Sequence, residues 1–199
     1  KKTPYNYKVT CTLSGNKKPI VNDEHYCTRN RFGKRMPSKK EDIITAMWAE
    51  VFHGVSASYV YAWSRRPWEW NTFEEARDIV INGGYKASCL LNPYAYPTES
   101  LDGFKVFAKE LEGVKELALP MPRLKTARVA LMHSYPTLRM SAVSQVDTRK
   151  ILASWYAALL FANYPMEIVM EEDATLENLA RYQAVLLPCV DNSYAATLP

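Results

Sequence analysis

Apolar positions along the chain fall into short runs and helical stripes that alternate in order. Lys18-Pro19-Ile20-Val21 is a short apolar run that gives way to Asn22-Asp23-Glu24-His25, which predicts a brief buried strand with polar groups at its C-terminal end. Residues 41–53 place Ile43, Ile44, Met47, Trp48, Val51 and Phe52 on one face of a predicted helix that Gly54 ends. Ser38 and Glu41 supply a capping box at its start, each side chain able to satisfy the other residue's free backbone N–H. Val55 to Ser64 alternates as a second strand, with Tyr59, Tyr61 and Trp63 on one face and Ser58, Val60 and Ala62 on the other. Thr72 with Glu75 opens another helix that Gly83-Gly84 closes. Residues 99–112 form one more, with Leu101, Phe104, Phe107 and Leu111 inward and Gly113 at its end.

Strand–helix–strand–helix order predicts a parallel α/β architecture for this first part. Leu119-Pro120-Met121-Pro122 then marks a domain boundary, and the pattern restarts beyond it. Residues 128–132 read as a strand, 148–163 as a helix, 167–170 as a strand, 175–182 as a helix and 184–187 as a strand. This βαβαβ series predicts a doubly wound sheet of the flavodoxin or Rossmann type, and with three strands it implies a chain that stops inside a domain. Such sheets often hold nucleotides, but the first β–α turn, His133-Ser134-Tyr135-Pro136-Thr137-Leu138-Arg139, has no glycine to let backbone N–H groups approach a phosphate. GxxxxGK[ST] does not occur in the chain either.

Composition narrows the class without choosing a chemistry. The 199 residues, 48% hydrophobic and 23% charged, suffice for a real buried core and exclude a disordered tail or fibrous repeat. A net charge of +4 is mild, and the basic run from Arg29 to Lys40 reads as a solvated loop, so no nucleic-acid partner is implied. No apolar run reaches the length that spans a bilayer, and Lys1 to Tyr5 lacks the apolar stretch of a signal peptide. The four cysteines, 11, 27, 89 and 189, are too dispersed for a zinc ribbon or redox dithiol and read as free thiols. Glu50-x-x-His53 offers two potential metal ligands at helical spacing without a third, which is a helix face rather than a metal site. No cofactor is implied.

Candidate chemistry gathers at the two strand ends of the first part, where parallel α/β folds keep their active sites. Regular alternation would set Asn22 and Glu24 on one side of the first strand, with Asp23 and His25 on the other. The second strand ends in Trp63-Ser64-Arg65-Arg66-Pro67-Trp68-Glu69-Trp70, an aromatic and cationic mouth. Aromatic rings cover the flat C–H faces of sugars while charged groups hold the hydroxyls, and a carboxylate beside such a wall is what glycosidic chemistry requires. A non-catalytic carbohydrate-binding or oligomerisation module on an α/β scaffold is the alternative reading. There Glu24 would be structural and the aromatic mouth a binding or subunit surface.

Lys18 to Glu24, the helix with Trp48 and His53-Gly54, and the strand ending Tyr61-Ala62-Trp63 resemble the last two β/α units of a glycoside hydrolase barrel. The resemblance is to the family 42 β-galactosidases and their relatives in the retaining-barrel clan. Asn92-Pro93-Tyr94 through Phe107-Ala108-Lys109-Glu110 resembles the segment that leaves that barrel, and Arg128 to Pro188 resembles the family's amidotransferase-like trimerisation domain. The resemblance implies residues 1–122 as the C-terminal part of a (β/α)8 barrel and 123–199 as a partial trimerisation domain. It implies Glu24 as the nucleophile of a double displacement, Trp63 as the floor of the sugar subsite, and Arg65, Trp68, Asn22 and His25 as further substrate contacts. It also implies a carbohydrate substrate and a homo-oligomer, a trimer by resemblance. The acid/base carboxylate belongs on the fourth strand of such a barrel, which this sequence does not contain; Asp23 and Glu69 are poor stand-ins, so the chain alone is expected to be inactive. In one respect the sequence departs from the family: Ser64 separates Trp63 from Arg65 where the family has Arg directly after Trp, which leaves the choice between galactose and a related sugar open.

Overall fold

The structure is a computed structural model that describes residues 4–15, 18–26, 28–31, 34–61, 90–91, 97–120, 127–144 and 147–188. The expected helix after Thr72, the Asn92-Pro93-Tyr94 segment and the whole Trp63–Trp70 mouth lie outside the described residues. Contacts divide the chain into two units, Pro19–Pro122 and a second made of Lys1–Lys18 with Arg123–Pro199.

In the first unit, β1 (Ile20–Tyr26) and β4 (Val55–Tyr61) pair in parallel, and α2 (Lys40–Phe52) makes the crossover between them. Helix α2 packs its Ile43, Met47 and Val51 stripe against α3 (Glu99–Ala118), with Leu90 and Phe107 completing the core. The helices meet at Gly103, where an added Cβ would stand 2.8 Å from both Ile43 Cβ and the Lys40 carbonyl oxygen. Ser100, fully buried, donates from Oγ to the Ser38 carbonyl at 3.0 Å and fastens the same crossing. Gly103→Ala is therefore expected to destabilise the chain. Overpacking costs about 1–3 kcal/mol, against a helix-propensity gain of about 1 kcal/mol. A denaturant midpoint that stayed level or rose would contradict a crossing this close.

Several local expectations are corrected here. The cap of α2 is Lys39, one residue later than expected, with Asp42 Oδ2 accepting from the Lys39 N–H at 2.9 Å. Helix α3 runs through Gly113 to Ala118, because nothing lies within 4 Å of an added Cβ there and an exposed glycine costs only about 1 kcal/mol of propensity. The basic run is not simply a loop: β2 (Thr28–Arg31) and β3 (Lys34–Pro37) form an antiparallel hairpin. Its backbone ladder needs no apolar alternation, so periodicity gave no sign of it. Gly54 does end α2, at φ +87°.

The second unit contains a three-stranded parallel sheet in the order β6-β5-β7, formed by Met166–Met170, Val129–His133 and Ala184–Leu186. Alternate residues of β5 feed two cores. Leu131 joins Ile168 and Met170 under α5 (Thr148–Phe161), while Ala130 and Met132 pack with Val169, Ala174 and Tyr182 on the other side. Helix α1 (Pro4–Leu13), which hydrophobic period does not reveal, belongs to this unit because Tyr5 is buried against Leu131, Leu152 and Tyr156. A helix, α4 (Tyr135–Ser144), follows β5 directly where a turn was expected. Ser134 Oγ accepts from the Thr137 N–H at 3.2 Å at its start. Helix α5 stops at Phe161 rather than 163, since Asn163 takes a left-handed conformation (φ 56°) and the Tyr164 N–H returns to the Leu159 carbonyl. The last helix shortens to α6 (Leu176–Leu179), whose first turn Thr175 caps.

Candidate functional site

The site builds from an irregularity in β1. Asn22 pairs with Ser58 and His25 with Val60, so three steps on β1 are matched to two on β4. One extra residue is thus inserted across Asp23-Glu24, a β-bulge. In a regular strand, residues three apart point to opposite faces. Here Asn22 and His25 point the same way, and both reach one carboxylate on α2. Asn22 donates from Nδ2 to Glu50 Oε1 at 2.8 Å, and His25 Nδ1 lies 2.8 Å from the same oxygen. Ser58 Oγ donates to Glu50 Oε2 from β4. The expectation that Asn22 and His25 take opposite sides is corrected by the bulge.

This cluster is dry. Glu50 is 2% exposed, Asn22 3% and His25 8%. The Phe104 ring meets His25 edge-on at 5.6 Å. A charge in such surroundings is tolerated only when its oxygens are hydrogen-bonded, and three donors from two strands do that for Glu50. Against an ionised carboxylate, which can only accept, His25 would donate from Nδ1. His53 Nδ1 lies 2.6 Å from the Ala49 carbonyl oxygen. Among the described residues no group of three or more His, Cys, Asp or Glu could hold a metal ion.

Of the expected site residues, the structure brings Asn22 and His25 together on Glu50, which sequence reasoning had set aside. The backbone of Glu24 lies in β1 within the bulge, one residue before His25; its side chain, with those of Trp63, Arg65 and Trp68, lies outside the described residues. On the β1–β4 face away from the helices, Val21 is 46% and Tyr59 66% exposed, while Ser58 and Val60 turn toward α2 and its core.

The second unit holds a different polar group at the C-terminal end of β5. Tyr5 Oη and His133 Nδ1 are 2.7 Å apart, and the His133 ring sits edge-on to Tyr135 at 5.2 Å. Burial, with a smaller contribution from the Arg149 guanidinium, lowers the His133 pKa to about 4. Burial also pushes the Tyr5 and Tyr156 hydroxyls well above the ordinary phenol range. On this unit a cavity of about 190 Å³ is lined by Thr12, Glu167, Asp173, Asn178 and Arg181 among others. Its Glu167 is already engaged by Arg181 at 3.1 Å and by the Tyr182 hydroxyl at 2.9 Å.

No family model matches the chain, and no curated protein sequence does. Solved structures do. A β-galactosidase from the psychrophilic Marinomonas ef1 superposes over 92% of this chain with a TM-score of 0.63 at 17% identity. The apo family 42 exo-carrageenase from Bacteroides ovatus covers 90% with a TM-score of 0.61 at 17% identity. The β-galactosidase from Bacillus circulans sp. alkalophilus covers 92% with a TM-score of 0.61 at 14% identity. The fold is that of part of a glycoside hydrolase family 42 β-galactosidase. The chain spans 30%, 22% and 25% of those three proteins' lengths. The family 42 likeness thus takes in nearly the whole of this chain but less than a third of any of the three. No described helix is long and apolar enough to cross a membrane.

Proposed function

We propose that the chain is part of a retaining glycoside hydrolase that cleaves terminal β-galactosides or closely related β-glycosides. The observation that carries this reading is the superposition of 92% of the chain on β-galactosidases. It is supported by an acidic residue, Glu24, on a bulged strand of a parallel β–α–β unit, since bulges are enriched at barrel rims and beside active sites. On this reading the last β/α units of a (β/α)8 barrel, expected over residues 1–122, fall in Pro19–Pro122, with residues 1–18 left to the other unit. The second unit is then part of a doubly wound oligomerisation domain, in a homo-oligomer such as a trimer.

The mechanism is a double displacement. Glu24 attacks the anomeric carbon as the glycosidic C–O bond breaks, and a second carboxylate roughly 5 Å away gives its proton to the leaving oxygen. That carboxylate, now a base, takes a proton from water, which attacks the same carbon and frees Glu24. Trp63 floors the sugar subsite, with Arg65 and Trp68 beside it. Asn22 Nδ2 and His25 Nδ1 serve Glu50, so a sugar contact by either residue would fall to Asn22 Oδ1 or His25 Nε2.

The acid/base residue comes from a barrel strand outside this sequence, so the 22.8 kDa chain by itself is expected not to hydrolyse an aryl β-galactoside. An intact mass read against turnover of the same material tests this. Turnover confined to material of larger mass is the expected result. Turnover by the isolated chain would place both carboxylates within it and overturn the assignment of a missing strand.

A further inference from the structure

We infer that Glu50 is a positioning residue: through Asn22 and His25 it fixes the bulge in β1 that carries Asp23 and Glu24. The bulge inserts a residue that the β1–β4 ladder does not pair, and such a distortion persists only where its surroundings over-determine it. Glu50 meets that need. Its Oε1 takes hydrogen bonds from the two β1 residues that flank the insertion, each at 2.8 Å. Both bonds form only if the extra residue is present, because without it Asn22 and His25 would face opposite ways.

The anchor is rigid. Glu50 stands on the same stripe of α2 as Ile43, Met47 and Val51, which is held against α3 where Gly103 allows the close crossing. Its second oxygen is tied to β4 by Ser58, which fixes the carboxylate plane. A side chain locked by packing and by its own hydrogen bonds can hold a neighbouring strand segment to a fraction of an ångström. What Glu24 does there rests on the glycosidase reading; that Glu50 holds the segment does not.

The test uses the 199-residue chain, with amide hydrogen exchange along β1 and β4 and ¹⁵N NMR of the His25 ring. In the parent chain His25 is expected in the Nδ1–H form, the minor one for imidazole in water. Glu50→Gln keeps an oxygen at Oε1 and should preserve that form, with exchange at 22–26 within about twofold. Glu50→Leu should lose it and raise exchange at 22–26 by about tenfold or more, with the sheet of the second unit unchanged as the control. Phe107→Ala weakens the same helix packing without touching the carboxylate, so it should raise exchange evenly over β1 and β4 and leave the tautomer in place. If Glu50→Leu does not fold, Asn22→Ala should loosen 22–26 selectively while Ser58→Ala should not. Even loosening in Glu50→Leu, or a selective effect from Ser58→Ala in place of Asn22→Ala, would overturn the inference. Survival of turnover in Glu24→Gln would instead remove Glu24 as the nucleophile and leave this clip standing.

Discussion

If the proposed function holds, Glu24→Gln is expected to lower turnover of an aryl β-galactoside by the enzyme that contains this chain by about 10³-fold or more, a barrier increase of about 4 kcal/mol or more. The amide is nearly isosteric with the carboxylate, so the strand and its bulge should be retained. What the proposed mechanism loses is the charged oxygen that would attack the anomeric carbon. A group that acts in the bond-making step lowers kcat and kcat/KM together, whereas a residue that only binds the sugar raises KM at unchanged kcat. Steady-state kinetics of the two forms separate these outcomes, and the unchanged β1 exchange pattern of Glu24→Gln serves as the folding control. Turnover within tenfold of the parent would remove Glu24 from the mechanism.

Acid is expected to loosen the second unit through His133. This ring is 4% exposed and its pKa is held near 4, below the ordinary 6.5, first by burial and then by Arg149. Because the folded-state value is the lower one, the unfolded chain binds the proton more readily. The stability that comes from burying the neutral ring is complete above pH 6.5 and is lost as pH falls toward 4. That interval corresponds to on the order of 3 kcal/mol. A protonated ring carries a hydrogen on Nδ1, so the Tyr5 hydroxyl 2.7 Å away, which ties α1 to the end of β5, would then have to accept from it. Urea unfolding at pH 7 and pH 4 should show the parent losing about that much more than His133→Gln, which takes up no proton in this range. Equal losses in the two would show that His133 does not control acid stability.

The parallel α/β frame is readable from sequence wherever an apolar pattern has a regular period. Ile43, Met47 and Val51 on a helix, and Leu131 against Ile168 on neighbouring strands, appear where the pattern puts them. Boundaries held where a conformational stop exists, as at Gly54, and slipped where none does, as at the solvent-facing Gly113. Helix α1 was invisible because its burial rests on Tyr5 and Cys11 rather than on a continuous stripe. Helix α4 was hidden by Pro136, which the first turn of a helix accepts because its missing N–H has no partner there anyway.

The candidate site was legible only in part, and for a specific reason. Alternation assumes an unbroken strand, and the bulge between Asn22 and His25 is set by a carboxylate 25 residues beyond His25 in the chain. A local pattern carries no sign of it. One signal was present: Glu50 lies at i+7 from Ile43, on the apolar stripe that also carries Met47 and Val51, and a charge on a buried stripe implies polar partners across the interface. Judged beside His53 alone, Glu50 read as half of a metal pair without a third ligand; its partners lay on the strands instead.

The central claim is that Glu24 forms a covalent bond to the sugar, and trapping that intermediate tests it most directly. On the proposed function, a 2-deoxy-2-fluoro-β-galactoside with a good leaving group should label the enzyme that contains this chain, because fluorine at C2 slows both formation and breakdown of the glycosyl-enzyme while the activated leaving group restores formation, so the intermediate accumulates. Peptide mass spectrometry of the inactivated enzyme is predicted to find the added sugar on the peptide that contains Glu24, attached at its carboxylate. An adduct on a different carboxylate, or full activity with no adduct, would contradict the account.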